Sequence, residues 1–209
     1  MTIEHLLSFY KFLAQGFCEP DFADYYRQTG LTREDWLDNE RSVKFLEEFS
    51  FINKPLPPEW NPSKEKVFNL PLEKEDYIYP TNVFKCDFVT SCKESSILFD
   101  KTEYEALQSS LINMGEKQLF IEKVQEPYDP LPLFLSLPIR LSWEELISGG
   151  FIASFLFDYF HGFFYLFSPS AQWGLFVADD AEYEVKILGV KKDYMPCFTP
   201  YYQYDPSSE

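Results

Sequence analysis

Residues 163–190, FFYLFSPSAQWGLFVADDAEYEVKILGV, decide the fold class. Two short apolar runs, 163–168 and 172–178, flank Ser168-Pro169-Ser170-Ala171, whose composition predicts a hairpin turn. Residues 183–190 alternate apolar and polar, which predicts one more strand. Three neighbouring strands with short connections predict an antiparallel sheet.

Upstream the pattern continues in both periods. Residues 83–90 and 118–124 read as strands, and 127–138, with its four prolines, as a structured loop or edge strand. Asp100 opens a helix that runs to about Met114, with Gly115 as its terminating glycine. Ser142-Trp143-Glu144-Glu145 is a cap followed by first-turn acids, and Gly149-Gly150 interrupts that helix. Beyond the glycines, Phe151, Ile152, Phe155, Leu156 and Tyr159 fit a helix face or a buried strand.

The amino-terminal part has the helical period alone. Ile3, Leu6, Leu7, Tyr10, Leu13 and Ala14 make a stripe over 3–14, and a second helix is predicted from Thr32 to near Ser50. Residues 53–64, NKPLPPEWNPSK, read as an extended linker or loop. The expected fold is therefore α+β: amino-terminal helices, then a mostly antiparallel sheet packed against one or two helices. The division is a helical part at 1–52, a proline-rich linker or loop at 53–66 and an α+β domain at 67–209, unless all form one domain. A chain of 209 residues suits either.

Composition narrows the function. The net charge is −16, and the acidity is spread over the chain. Nucleic acid and anionic membrane surfaces repel such a protein, so neither is an expected partner. The apolar stretch 149–167 contains Asp158 and His161, and burial in a core suits it better than a bilayer. With no signal-peptide pattern at the amino terminus, the expected location is cytoplasmic. Cys18, Cys86, Cys92 and Cys197 form no metal or disulfide motif, and reduced, mostly buried thiols are expected.

Catalytic patterns are weak. His161 beside Asp158 lacks a nucleophile motif, and Asp179-Asp180 with Glu182 and Glu184 reads as a solvated turn before a weak cation site. No phosphate-binding glycine loop occurs. We therefore assign no catalytic residue, metal or cofactor. What stands out is the aromatic content of 19%: 22 Phe, 14 Tyr and 4 Trp. Acidic and aromatic surface together suit a basic protein partner. The candidate contacts are Trp173, Asp179, Asp180, Glu182, Tyr201 and Tyr202. A Trp before Gly in a strand also suits a core, and the tyrosine-rich carboxy-terminal segment also suits packing back on the domain.

Ser142 to Gly150, the aromatic strand, the Trp173-Gly174 pair and Ile187-Leu188-Gly189-Val190 together resemble the carboxy-terminal half of bacterial immunity proteins of the SUKH-like group, which neutralise polymorphic toxins. The resemblance covers 142–190. It implies an α+β fold and inhibition by blocking a basic toxin, without catalysis. The alternatives from composition are a structural or regulatory self-associating domain, or a hydrolase whose carboxylates converge only in the fold.

Overall fold

The computed structural model describes residues 2–14, 23–70, 78–94, 98–123, 133–154, 162–179 and 184–203. It is α+β, built on a six-stranded, wholly antiparallel sheet. The strands are β1 (Phe88–Glu94), β2 (Gln118–Lys123), β3 (Leu133–Pro138), β4 (Gly162–Phe167), β5 (Trp173–Asp179) and β6 (Glu184–Lys191). Their order is β1-β6-β5-β4-β2-β3, so β4, β5 and β6 form a central meander, as the alternation in 163–190 predicts.

Helices cover both faces. Alternate residues of the strands point into two separate cores, because the side-chain period of a strand is two. On one face Leu119, Ile121, Phe164, Leu166, Trp173, Leu175 and Val177 join Leu6, Leu7, Tyr10, Phe45, Leu46, Leu107 and Leu111. Those partners come from α1 (Ile3–Ala14), α4 (Asn39–Phe49) and α7 (Lys101–Met114). The amino-terminal helices and the sheet thus share one core. The short α8 (Trp143–Ile147) and α9 (Phe151–Ser154) pack here too, through Trp143, Leu146, Ile147, Phe151 and Ile152. A 3-10 helix, Lys192–Phe198, and α10 (Thr199–Gln203) fold the carboxy-terminal segment back, burying Phe198 and Tyr201.

The opposite face is aromatic. Phe120, Tyr165, Phe167 and Phe176 pack under Trp60, Val67, Phe68, Val83 and Phe84. Trp60 stacks on Phe120 with ring centroids 4.5 Å apart, and Phe68 meets Tyr165 edge-on at 4.8 Å. The covering residues belong to α5 (Trp60–Val67), α6 (Pro80–Val83) and the short bridge Phe68–Phe84 between them. Much of the stretch expected as an extended linker is therefore helical. Pro62 falls in the first turn of α5, where a missing N–H costs nothing.

Two glycines make that cover possible. Gly174 of β5 is paired with Gly189 of β6, and both lie on the aromatic face. A Cβ at Gly174 would stand 2.5 Å from Val67 Cγ1 and 2.7 Å from Phe68 Cζ. One at Gly189 would run into the Phe84 ring. The bare backbone of this pair lets Phe68 and Phe84 lie directly on the sheet.

Several local expectations shift. The strand expected at 83–90 starts at Phe88, because residues 80–83 form α6 with Pro80 in its first turn. The single helix expected over 32–50 is two. Thr32 and Asp35 form a full capping box that starts α3 (Arg33–Trp36), and Asp38 starts α4 by accepting from the Glu40 N–H at 2.9 Å. The helix α2 (Ala23–Thr29) carries no strong apolar stripe and went unpredicted. The helix from Asp100 ends as expected, with Gly115 in the left-handed conformation at φ 82°. Cys86 and Cys92 are exposed, against the expectation of mostly buried thiols, since both lie at or before the outer strand β1. Of the run Phe151 to Tyr159, residues 151–154 are helical, and the rest, with Asp158 and His161, lies outside the described residues.

Replacing Gly174 or Gly189 by Ala forces Val67, Phe68 or Phe84 off the sheet. Each change should cost about 1–3 kcal/mol, the range for overpacking a filled core. Urea unfolding followed by tryptophan fluorescence measures it. A variant as stable as the parent would mean that α5 and α6 do not sit as described.

Candidate functional site

The six residues expected at a partner surface do not form one patch. Trp173 is fully buried; it packs against Phe198 and donates from Nε1 to the Ser168 Oγ at 2.8 Å. Tyr201 is 1% exposed, and its hydroxyl donates to Glu103 Oε1 at 2.6 Å. Both are core side chains and present no surface to a partner. Tyr202, its neighbour, is 37% exposed beside β1. Asp179 closes β5, about 20 Å along the strand from Trp173 by the strand rise. Its side chain lies outside the described residues, as do Asp180 and Glu182.

The structure gathers acids elsewhere, between α4 and α8. A groove of about 400 Å³ is lined by Asp38, Glu40, Glu48 and Glu145, with Arg41 and Lys44. Phe45, Phe49 and Gly149 also line it. Its width follows from the glycine pair that interrupts the sequence after α8. A Cβ at Gly149 would stand 2.6 Å from Phe45 Cδ2. Gly150 has φ 76°, and a Cβ there would lie 2.9 Å from the Ser42 Oγ. With both side chains absent, α4 lies directly against the α8–α9 corner, and Ser42 Oγ accepts the Ile152 N–H.

Two of the groove carboxylates are fixed by the helices they cap. Glu145 accepts from the Ser142 N–H at 2.9 Å and the Ser142 hydroxyl at 2.8 Å, which holds its carboxyl below the usual range. Asp38 caps α4. Next to them, Glu144 is held below the usual carboxylate range by Lys101, whose ammonium lies 2.5 Å away. Asp35 is lowered by Thr32. Lys44 is taken up by Glu40 at 2.8 Å. Glu145 thus keeps its negative charge into mild acid, and the groove offers the half-buried Phe49 to a cation or an apolar anchor.

A second charged cluster lies in the core. The strand registers place Lys93, Lys186, Val177, Phe164 and Lys123 in one row across the sheet, on the face that α7 covers. Lys186 and Lys123 are each 1% exposed. Lys186 is ion-paired with Glu103 in the first turn of α7, and the same carboxylate accepts the Tyr201 hydroxyl. Lys93 Nζ donates to the Tyr201 carbonyl at 3.3 Å and lies 4.4 Å above its ring. This cluster ties the carboxy-terminal segment to the sheet. Such a network positions structure more than it adds stability.

Sequence reasoning missed both features. The groove had a signal in the acid excess of 31–50 and in the Glu144-Glu145 pair, but only the fold shows that the two helices face each other. The buried pair had one too: the two-residue period of a strand over 183–190 places Lys186 on one face with Leu188 and Val190.

Among the described residues no helix is long and apolar enough to cross a membrane, and no three His, Cys, Asp or Glu converge as a metal ion would require. Comparison with protein-family models, with curated proteins and with solved structures finds no match.

Lys186→Met should cost about 3–5 kcal/mol in urea unfolding, because Glu103 is left charged and buried. Adding Glu103→Met should return most of that loss. If the double variant is no more stable than the single one, the pair is not the coupling described.

Proposed function

We propose that this chain is an acidic protein-binding module that blocks a basic partner through the α4–α8 groove. The observation that carries the reading is the groove itself: four carboxylates, outnumbering Arg41 and Lys44, around two phenylalanines on a protein of net charge −16. Charge of this sign speeds encounter with a basic protein, and the aromatic floor supplies the short-range anchor. A toxin that grips nucleic acid has such a basic surface, and an acidic inhibitor covering it stops the toxin without catalysing anything. This agrees with the resemblance of residues 142–190 to the SUKH-like immunity proteins, since α8 and the glycine pair that shape the groove fall in that segment. Asp179, Asp180 and Glu182 remain proposed contacts, while Trp173 and Tyr201 drop out because they are buried. Tyr202 lies by β1, at the far edge of the sheet from the groove, and belongs to a different surface. The same reading places the protein in the cytoplasm, where the exposed thiols of Cys86 and Cys92 stay reduced.

Glu145 is unsuited to serve as the general acid of a hydrolase. A general acid needs a raised pKa, whereas Glu145 is lowered and spent on a helix cap.

The test is capture from native lysate on immobilised protein, eluted with a salt gradient. The expected result is a stoichiometric basic protein released by raised salt. Glu40→Lys with Glu48→Lys should weaken the recombined pair at least about tenfold, and Glu59→Lys with Glu65→Lys, just before and within α5, should leave it within about twofold. Equal loss in both variants would show a diffuse charge effect and no groove. Retained binding by the first variant would remove the groove from the contact.

Acid should act in a defined direction. Because Lys101 lowers the Glu144 carboxyl and the Ser142 cap lowers that of Glu145, the stability these two contribute should hold through mild acid and be lost as the pH falls through their lowered values. Urea unfolding against pH, compared with Glu145→Gln, checks this. A Glu145→Gln variant with the same acid dependence as the parent would mean that the cap is not titrating.

A further inference from the structure

The acidic groove holds a cation that the fold leaves without a partner. Arg41, Phe45 and Phe49 follow each other at four-residue spacing on α4, so they share one face of that helix and line the groove. A Cβ at Gly150 would lie 3.2 Å from the Arg41 Cβ, so the arginine is rooted at the glycine corner where the two helices meet. The carboxylates around it are turned to other donors. Asp38 accepts the Glu40 N–H, Glu40 holds Lys44, and Glu145 holds the Ser142 cap. Asp35, lowered chiefly by its hydrogen bonds from Thr32, also feels the Arg41 charge but makes no ion pair with it. Among the described residues Arg41 makes no ion pair and donates no hydrogen bond, whereas the groove's other cation, Lys44, is paired. The half-buried guanidinium thus keeps its fork of N–H donors for solvent or for whatever enters the groove.

We infer that Arg41 selects the partner: it admits a segment whose basic side chains are interrupted by an aspartate or glutamate, and it turns away a segment that is basic throughout. This deepens the reading above and rests on it. Charge alone draws a protein of net charge −16 to any polycation. A groove lined only by acids would add no discrimination among them. With Arg41 inside, a uniformly cationic segment sets a like charge against the guanidinium, a cost that suppresses wrong partners. A segment that places a carboxylate there gains a charge-assisted pair, bidentate where both oxygens reach the fork. Arginine suits this task because its plane matches a carboxylate and its charge does not titrate. The groove residues then divide the work. Glu48 and its neighbours speed the encounter, and Arg41 sets which encounter lasts.

The experiment compares Arg41→Gln and Arg41→Lys with the parent, as full chains, against two probes: poly-L-lysine and the basic protein released from the capture column. Urea unfolding comes first. All three chains should unfold alike, because Arg41 makes no pair among the described residues. Arg41→Gln makes the chain more negative, so electrostatics alone would tighten both complexes. Selection by Arg41 gives opposite signs. Poly-L-lysine should bind Arg41→Gln about twofold tighter, and the captured protein should leave it about tenfold faster, with no slower association. Arg41→Lys should bind poly-L-lysine as the parent does and recover only part of the loss with the captured protein. If Arg41→Gln binds the captured protein as tightly as the parent or more tightly, the inference is overturned and the basic-partner reading stands. A capture that yields no basic protein removes that reading, and this inference with it. A variant clearly less stable than the parent also overturns it, because Arg41 would then be holding the fold.

Discussion

A sheet with apolar side chains on both faces must be covered on both, and here the second cover rests on bare backbone. Gly174 and Gly189 stand opposite each other on neighbouring central strands, and the rings of Phe68 and Phe84 occupy the space their side chains would fill. The cover itself is small. Helices α5 and α6 have eight and four residues, too short to be stable alone. They persist because Trp60, Val67 and Phe68 bury completely against an aromatic surface. The large aromatic content of this chain follows from that constraint. A thin layer must exclude water with few residues, and aromatic side chains bury the most area per residue.

Charge is arranged by the same logic of space. Acids are placed where helices need caps and where solvent reaches them: Asp35, Asp38 and Glu145 each satisfy backbone or hydroxyl donors at a helix start. Three lysines are drawn inward. Lys186 and Lys123 are buried, and Lys64 lies over the Tyr165 ring while paired with Glu122 at 2.5 Å. Aliphatic stems and cation–π contacts let a lysine pack among aromatics. Lys186 and Lys64 take Glu103 and Glu122 in with them, so the surface keeps the acid excess that a basic partner meets.

The legible parts of the fold were those fixed by local period and by end signals. The meander in 163–190, the capped helix from Asp100 to Met114 and the start of α8 at Ser142 follow from alternation and caps, which neighbours in sequence determine. The helix α5 was not legible, because its residues WNPSKEKV lack a helical stripe and owe their conformation to the aromatic face above which they lie. The site was legible only in its materials. The acids of α4 and α8 can be read from the chain, but their meeting depends on Gly149 and Gly150, whose meaning changes from helix breaker to contact point once Phe45 and Ser42 are found against them. Trp173 and Tyr201 show the converse. Both have the amphipathic character of interface residues, and each found its hydrogen-bond partner inside, at Ser168 and Glu103.

The α4–α8 groove and the β1 edge lie toward opposite margins of the sheet, since α4 borders β3 at one end of the strand order and β1 forms the other. Buried between these surfaces, the Lys186–Glu103–Tyr201 cluster fixes the carboxy-terminal segment against β1 through Lys93. The segment that carries Tyr202 is thereby held beside the open strand, and the polar core of the protein sets the shape of its outer edge.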